Sequence, residues 1–359
     1  MPRIDARARL DFALFARQAW AAQVYPCLVD EVRKRAGALA ETSEDLDRWT
    51  ERVDKVAPFV WQSSIYPFFA WLERGLQKQL WRATSEVVSE SPTTLEIDLG
   101  DSESDGTLEL DGETELPKWY AECDFHLQPG GVWPSLANGE VYKLGAQVVM
   151  LGANDQAQFH RLFTDTAIPD RDYRRIVDLG CGFAKSTFPL KQRFPHAEVI
   201  GIDLAEPLLK MAWAQARRDG IVVRLRQADC RSTGLDGASA DLVTATMLIH
   251  ELPLYAVEEM LAEAARLLRP GGLLRVLDFH PTGDPLRDLA MMEHSERNNE
   301  PFLADLFKAD VIKLCGKAGL ADARWVAFDE RGAGRLNEAV WPKRKEWHFP
   351  WAVLEAVRP

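Results

Sequence analysis

Val177-Asp178-Leu179-Gly180-Cys181-Gly182 is the stretch from which the rest of the chain is read. A run of strand character enters a turn whose two glycines let the backbone approach a ligand closely, and a helix opens after it. Working outward, Glu198 to Ile202 reads as a strand and Pro207 to Arg218 as a helix stopped by Gly220. Val222 to Leu225 and Asp241 to Met247 follow as strands. Val257, Met260, Leu261, Ala264 and Leu268 mark an amphipathic helix ended by Pro270-Gly271-Gly272, and Leu273 to Phe279 is a fifth strand. Strands separated by helices predict a doubly wound, mostly parallel α/β sheet covered on both faces. Such sheets bind ligands beyond the carboxyl ends of their strands, where strand order reverses.

The turn itself narrows the ligand. A dinucleotide turn carries a third glycine beside the pyrophosphate; here that position is Lys185, and Asp178 stands two residues before the first glycine. A carboxylate there suits a ligand with cationic groups and no phosphate. Gly201-Ile202-Asp203-Leu204 puts a second carboxylate at the end of the next strand, able to accept from both hydroxyls of a ribose. Gln227-Ala228-Asp229-Cys230 ends the third strand, where a carboxylate can accept from an adenine amino group.

Taken in order, VDLGCG, GIDL, QADC, DLVTATMLIHELP and LLRPGGLLRVLDF resemble the motif series of the class I S-adenosylmethionine-dependent methyltransferases, over about residues 174 to 280. The resemblance implies a Rossmann-like sheet of seven strands whose last strand runs antiparallel, near Trp351 to Val357, beside a partner near Ala323 to Phe328. It implies S-adenosyl-L-methionine as methyl donor. Asp178, Gly180 and Gly182 would line its methionine end, Asp203 and Leu204 its ribose, Asp229 and Cys230 its adenine, and Thr246 and Met247 the neighbourhood of the reacting methyl. One departure is Ala184, where many members have a third glycine.

Methyl transfer is an in-line displacement, for which a protein mainly aligns and desolvates the reactants; a base is required only if the acceptor must lose a proton. His250, just after the fourth strand, is one candidate base, with Glu251 to orient it; a helix cap or a cofactor contact is the alternative reading. His126 is a second, within Asp124 to Trp133, a glycine- and proline-bearing stretch expected to fold over the cofactor as a lid. A third cluster, Asp278, His280, His294, Glu296, Arg297 and Asn298, lies where many small-molecule members carry an insertion over the acceptor. Its spacing matches no metal site, so no metal is expected.

The remaining sequence sets the surroundings. Residues 1–149 read as a mainly helical region serving as acceptor-site cap or dimerisation surface, and 150–359 as the cofactor-binding catalytic domain. Pro58 and Pro67 are expected to divide the helices, with Ser63-Ser64 capping one start. The aromatic stretch Tyr66 to Trp81 is expected to be a buried face, a pocket wall or a dimer interface. Residues 93–116, with eight acidic and no basic side chains from Asp98 to Glu115, read as an exposed acidic hairpin.

A net charge of −12 argues against a nucleic-acid partner, because such affinity comes from cations neutralising phosphates. No apolar run is long enough to suggest a membrane partner. The first twenty residues lack the apolar centre of a secretory signal, and five scattered cysteines suit a reduced cytoplasmic setting. The expected function is methylation of a small-molecule acceptor, at oxygen if a histidine serves as base. The alternatives are a thioether or thiol sulfur, a protein acceptor, and a noncatalytic scaffold on the same fold. A homodimer through the helical region is compatible with all of them.

Overall fold

The computed structural model describes residues 4–43, 48–90 and 106–359. Its centre is a sheet of strands β1 (Thr107–Glu109), β2 (Arg175–Leu179), β3 (Glu198–Asp203), β4 (Arg224–Gln227), β5 (Ala240–Thr246), β6 (Leu268–Phe279), β7 (Ala321–Asp329), β8 (Gly334–Arg335) and β9 (Trp351–Val357). Their order is β1-β4-β3-β2-β5-β6-β9-β7-β8. The inner seven strands form the expected α/β sheet, with β9 inserted antiparallel between β6 and β7. Two edge strands make it nine: β1 at one side and the short β8 at the other. The central strands are buried on both faces and read as continuous apolar runs; in β2, Ile176, Val177 and Leu179 are completely covered.

Among the described residues, seven helices precede β2 or lead into it: α1 (Ile4–Ala19), α2 (Tyr25–Ala36), α3 (Trp49–Trp61), α4 (Tyr66–Glu90), α5 (Lys118–Ala121), α6 (Leu136–Val149) and α7 (Gln158–Ala167). Between the later strands come α8 (Thr187–Arg193), α9 (Glu206–Asp219), α10 (Leu254–Leu267), α11 (Pro285–Arg297), α12 (Leu303–Lys308) and α13 (Val311–Lys317). In α10 the predicted face is realised: Val257, Met260, Leu261 and Ala264 are fully buried. Gly220 ends α9 in the left-handed conformation that a side chain resists.

The N-terminal half holds two corrections. Pro58 does not divide helices; it sits inside α3, whereas Pro67 stands in the first turn of α4, where its missing N–H costs nothing. Of the expected acidic hairpin only the second arm is described. Residues 107–109 run parallel to β4 as an edge strand, while Leu95, Ile97 and Leu99 lie outside the described residues. The aromatic stretch splits by helical phase, Phe69 and Trp81 being buried and Phe68 and Trp71 exposed. A core cluster runs continuously from Trp20 to Ala356, across the boundary at 149/150. Among the described residues no helix is long and apolar enough to cross a membrane.

Candidate functional site

Strand order reverses between β2 and β5, and the chain leaves both strands there into strained turns. After β2 it passes through Gly180, Gly182 and Ala184 with φ of 66°, 52° and 66°. A Cβ on Gly180 would stand 2.7 Å from Leu248 Cδ1, so this turn closes only on glycine. The turn is tied to β3 by two backbone donors. Cys181 N–H donates to Ile202 O at 2.9 Å, and Gly182 N–H donates to Asp203 Oδ2 at 2.7 Å. Asp203 Oδ1 accepts from Ala205 N–H at 2.8 Å, which leaves the carboxylate fixed with lone pairs to spare. Burial pushes its pKa up to about 6 against the pull of those two donors. Gln227 Nε2 donates to Leu204 O at 3.1 Å, locking the ends of β3 and β4 together.

Around this reversal lies a mostly apolar cavity of about 180 Å³. Gly180, Gly182, Asp203, Leu204, Asp229, Cys230, Thr246 and Met247 all line it. Asp178 does not. It is fully buried beneath the turn, accepting from the hydroxyls of Ser186 at 2.6 Å, Thr187 at 2.7 Å and Thr244 at 2.9 Å. Its role is to pin β2, the turn and β5 together.

The two histidines separate in the same way. His250 is buried behind the cavity wall rather than on it. Its Nδ1 lies 2.7 Å from Asp278 Oδ1, and Asp278 Oδ2 accepts from the N–H groups of Leu248 and Ile249. The histidine expected as a base therefore acts as a wall brace.

His126 does line the cavity, but neither ring nitrogen is free. Nε2 is 2.9 Å from Glu251 Oε1 and Nδ1 is 2.8 Å from Glu300 Oε1. Burial opposes its charge, yet the hydrogen bonds and negative charges of these two carboxylates outweigh it and raise the pKa to about 10. An imidazolium clamped at both ends cannot serve as the base. Of the third cluster, His280 stacks on Trp341, and His294 and Arg297 both pair with buried Glu73. None of these residues reaches the cavity.

Comparison with known proteins bears on this geometry. Residues 176–272 match the family model described as a methyltransferase domain. Over that stretch the chain is similar to S-adenosylmethionine-dependent methyltransferases. It is 34% identical over 140 residues to a demethylmenaquinone methyltransferase of Thermus thermophilus, covering 39% of this chain and 61% of that protein. It is 39% identical over 109 residues to a trans-aconitate 2-methyltransferase of Deinococcus radiodurans, covering 30% and 39%. A nocamycin O-methyltransferase of Saccharothrix syringae is 38% identical over 102 residues, covering 27% and 35%. The chain thus spans less than two thirds of the length of each of these relatives.

The residues around the cavity fit S-adenosylmethionine on their own chemistry. The hydroxyl of Thr246 is buried on the wall with no partner. No Cβ narrows the turn at Gly182, where the nearest atom to one would be 3.8 Å away. Asp203 faces the cavity as a ready acceptor for ribose hydroxyls. Asp229 is gripped by Arg231, from Nε at 3.0 Å and Nη2 at 2.7 Å, so its carboxylate is shared between that arginine and any adenine amino group. Lys185, which displaces the dinucleotide glycine, lines the far end and donates to Asn154 O at 2.8 Å.

One side of the wall carries residues that sequence reading did not single out, Trp119, Tyr120, Cys123 and Tyr142, beside Phe125 of the expected lid segment and Glu251. Trp119 and Phe125 are backed by Phe302, their rings packed at 6.0 and 6.2 Å. The insertion after β6 therefore supports this aromatic wall without lining the cavity. The density of aromatic residues from 119 to 142 was the available signal.

Proposed function

We propose that this methyltransferase acts on a hydroxyl oxygen of a small, planar and largely uncharged acceptor. The observation that carries the reading is one cavity in which the cofactor positions, Asp203 and Thr246 among them, adjoin a wall of Trp119, Tyr120, Phe125 and Tyr142. When bound, the donor supplies an already activated methyl group. The chain's own part is to hold an acceptor between aromatic side chains, exclude water and fix orientation. Phe125, His126, Gly131, Val132 and Trp133 of the 124–133 segment line the cavity, which supports reading that segment as a lid.

The two glutamates around His126 exceed its single positive charge, which disfavours a polycarboxylate such as the trans-aconitate named for one relative. The name of another relative, an O-methyltransferase, agrees with oxygen as the acceptor atom. A sulfur acceptor is the second reading, because aromatic faces also stabilise a sulfonium product.

Calorimetric titration with S-adenosylhomocysteine, beside Asp203→Ala, tests the cofactor half. Saturable binding lost in the variant is the expected result. Labelled methyl donor offered with phenols, thioethers and polycarboxylates then tests the acceptor half, and turnover of carboxylates or thioethers but not phenols would overturn the assignment to oxygen.

A further inference from the structure

The acceptor wall carries one ionisable oxygen that the site so far described does not use. Glu251 follows β5 by five residues and lines the cavity, with its side chain 23% exposed. Its Oε1 is bonded to His126 Nε2, and Oε1 also lies 3.9 Å from His250 Nε2. Among the described residues, nothing bonds Oε2. Behind it stands a built support. His126 is held on its other nitrogen by Glu300, which is itself buried. The carbonyl of His126 accepts from Gln77 Nε2 at 2.8 Å and Trp81 Nε1 at 2.6 Å, both on α4.

His126 and Leu127 both take positive φ, 58° and 63°. Left-handed backbone strains a residue with a Cβ, and such strain persists only where surrounding contacts over-determine it. Three separate parts of the chain thus converge to aim one carboxylate: the 124–133 segment, the turn after β5 and Glu300 beyond α11.

We propose that Glu251 contacts the acceptor directly and takes the proton of its hydroxyl group, while His126 and Glu300 act as positioning residues. This deepens the hydroxyl reading above and rests on it. In the step, the acceptor's O–H bond breaks and its electron pair stays on oxygen, which becomes the nucleophile. The proton moves to Glu251, whose carboxylate becomes a carboxylic acid. The substrate class is an acceptor bearing a phenolic or enolic O–H on a flat apolar skeleton.

Other ionisable groups around this carboxylate are Cys123, Tyr120, Tyr142, Asp203 and His250. Burial, reinforced by Glu251, raises Cys123 to about 11 and moves both tyrosines up as well, so none of the three competes as a neutral-pH base. A purely structural staple would account for His126 and Glu300. It would not account for an unpartnered oxygen on a wall residue.

The test uses the full chain and p-cresol, with toluene and benzylammonium as contrasts, followed by ligand-observed NMR with and without S-adenosylhomocysteine. A hydrogen bond to a charged group predicts that p-cresol binds roughly tenfold or more tightly than toluene. Glu251→Ala should remove that preference. Glu251→Gln should retain binding within a few-fold and lower kcat, not KM, for any phenol the wild type methylates. Glu300→Gln should weaken the p-cresol preference and move the histidine ¹⁵N signals of His126 away from the doubly protonated form at pH 8.

Unchanged preference in Glu251→Ala, tighter binding of benzylammonium than p-cresol, or a wild type that binds the donor yet methylates no phenol would each overturn the proposal. Failure of S-adenosylhomocysteine to bind would instead sink the methyltransferase reading, since p-cresol binding without it still reports on Glu251.

Discussion

Nδ1 of His126 lies 2.8 Å from Oε1 of Glu300, joining residues 174 positions apart in the chain. Together with Glu251 this contact raises the folded-state pKa of His126 to about 10, well above the ordinary 6.5. A base with a raised folded pKa contributes stability that is complete below its unfolded pKa and is lost as pH rises through the folded one. The stabilisation is therefore full below about pH 6.5 and fades towards pH 10. Thermal unfolding of wild type and His126→Gln across that range should show the wild-type advantage shrinking as pH rises. A constant difference would show that the imidazole is not charged in the fold.

Asp203 makes an opposite kind of prediction, about ligand affinity. Its pKa of about 6 means that the carboxylate is largely ionised at pH 7 and largely protonated at pH 5. Ribose hydroxyls donate best to the ionised form. Affinity for S-adenosylhomocysteine should fall by up to about tenfold between pH 7 and pH 5. Asp203→Asn should be weak throughout and nearly flat with pH. Calorimetry at both pH values checks this.

Asp178 lies under the cofactor turn with three hydroxyl donors and no opening to the cavity. Burial raises its pKa, and those three hydroxyls pull the other way. Asp178→Ala would leave several buried hydroxyls without their acceptor, at roughly 1–3 kcal/mol for each left unsatisfied. A large loss in denaturant midpoint is expected, with Asp178→Asn milder. If Asp178→Ala folds normally and loses only donor affinity, the pinning role is wrong.

Ala184 is fully buried and left-handed, with φ of 66°. Glycine removes a strain of about 1–2 kcal/mol there, and offsets part of that through a more flexible unfolded chain, by about 0.4–1 kcal/mol. Ala184→Gly should therefore raise stability by roughly 0.5–1 kcal/mol and leave affinity for S-adenosylhomocysteine unchanged. A destabilised variant would mean that the methyl group's packing outweighs the backbone strain.

The catalytic sheet was legible because its signals are local. Alternating strand and helix periods, Gly220 after α9, and the glycines at 180 and 182 each act within a few residues. β9 falls at Trp351–Val357, where the family resemblance placed it. The residues that line the cavity at the strand ends were legible for the same reason, since each stands beside the end of its own strand. Local pattern failed where a residue's fate depends on what packs against it. Asp178 sits in the same motif as Gly180 but points under the turn. Residues 107–109 read locally as a strand, but that their neighbour is β4, more than a hundred residues on, is not visible in their own pattern.

The amino-acid order by itself thus determined the doubly wound sheet, the resemblance to methyl-transferring enzymes and which strand ends face the cavity, because turn chemistry and hydrophobic period are properties of neighbouring residues. Only the tertiary structure decided which titratable groups touch the cavity. His250 and His126 are equally good bases on paper. Packing sends one behind the wall against Asp278 and clamps the other between Glu251 and Glu300. Ionisation in a buried site depends on partners 28 to 174 residues away in the chain, a distance that no local pattern spans.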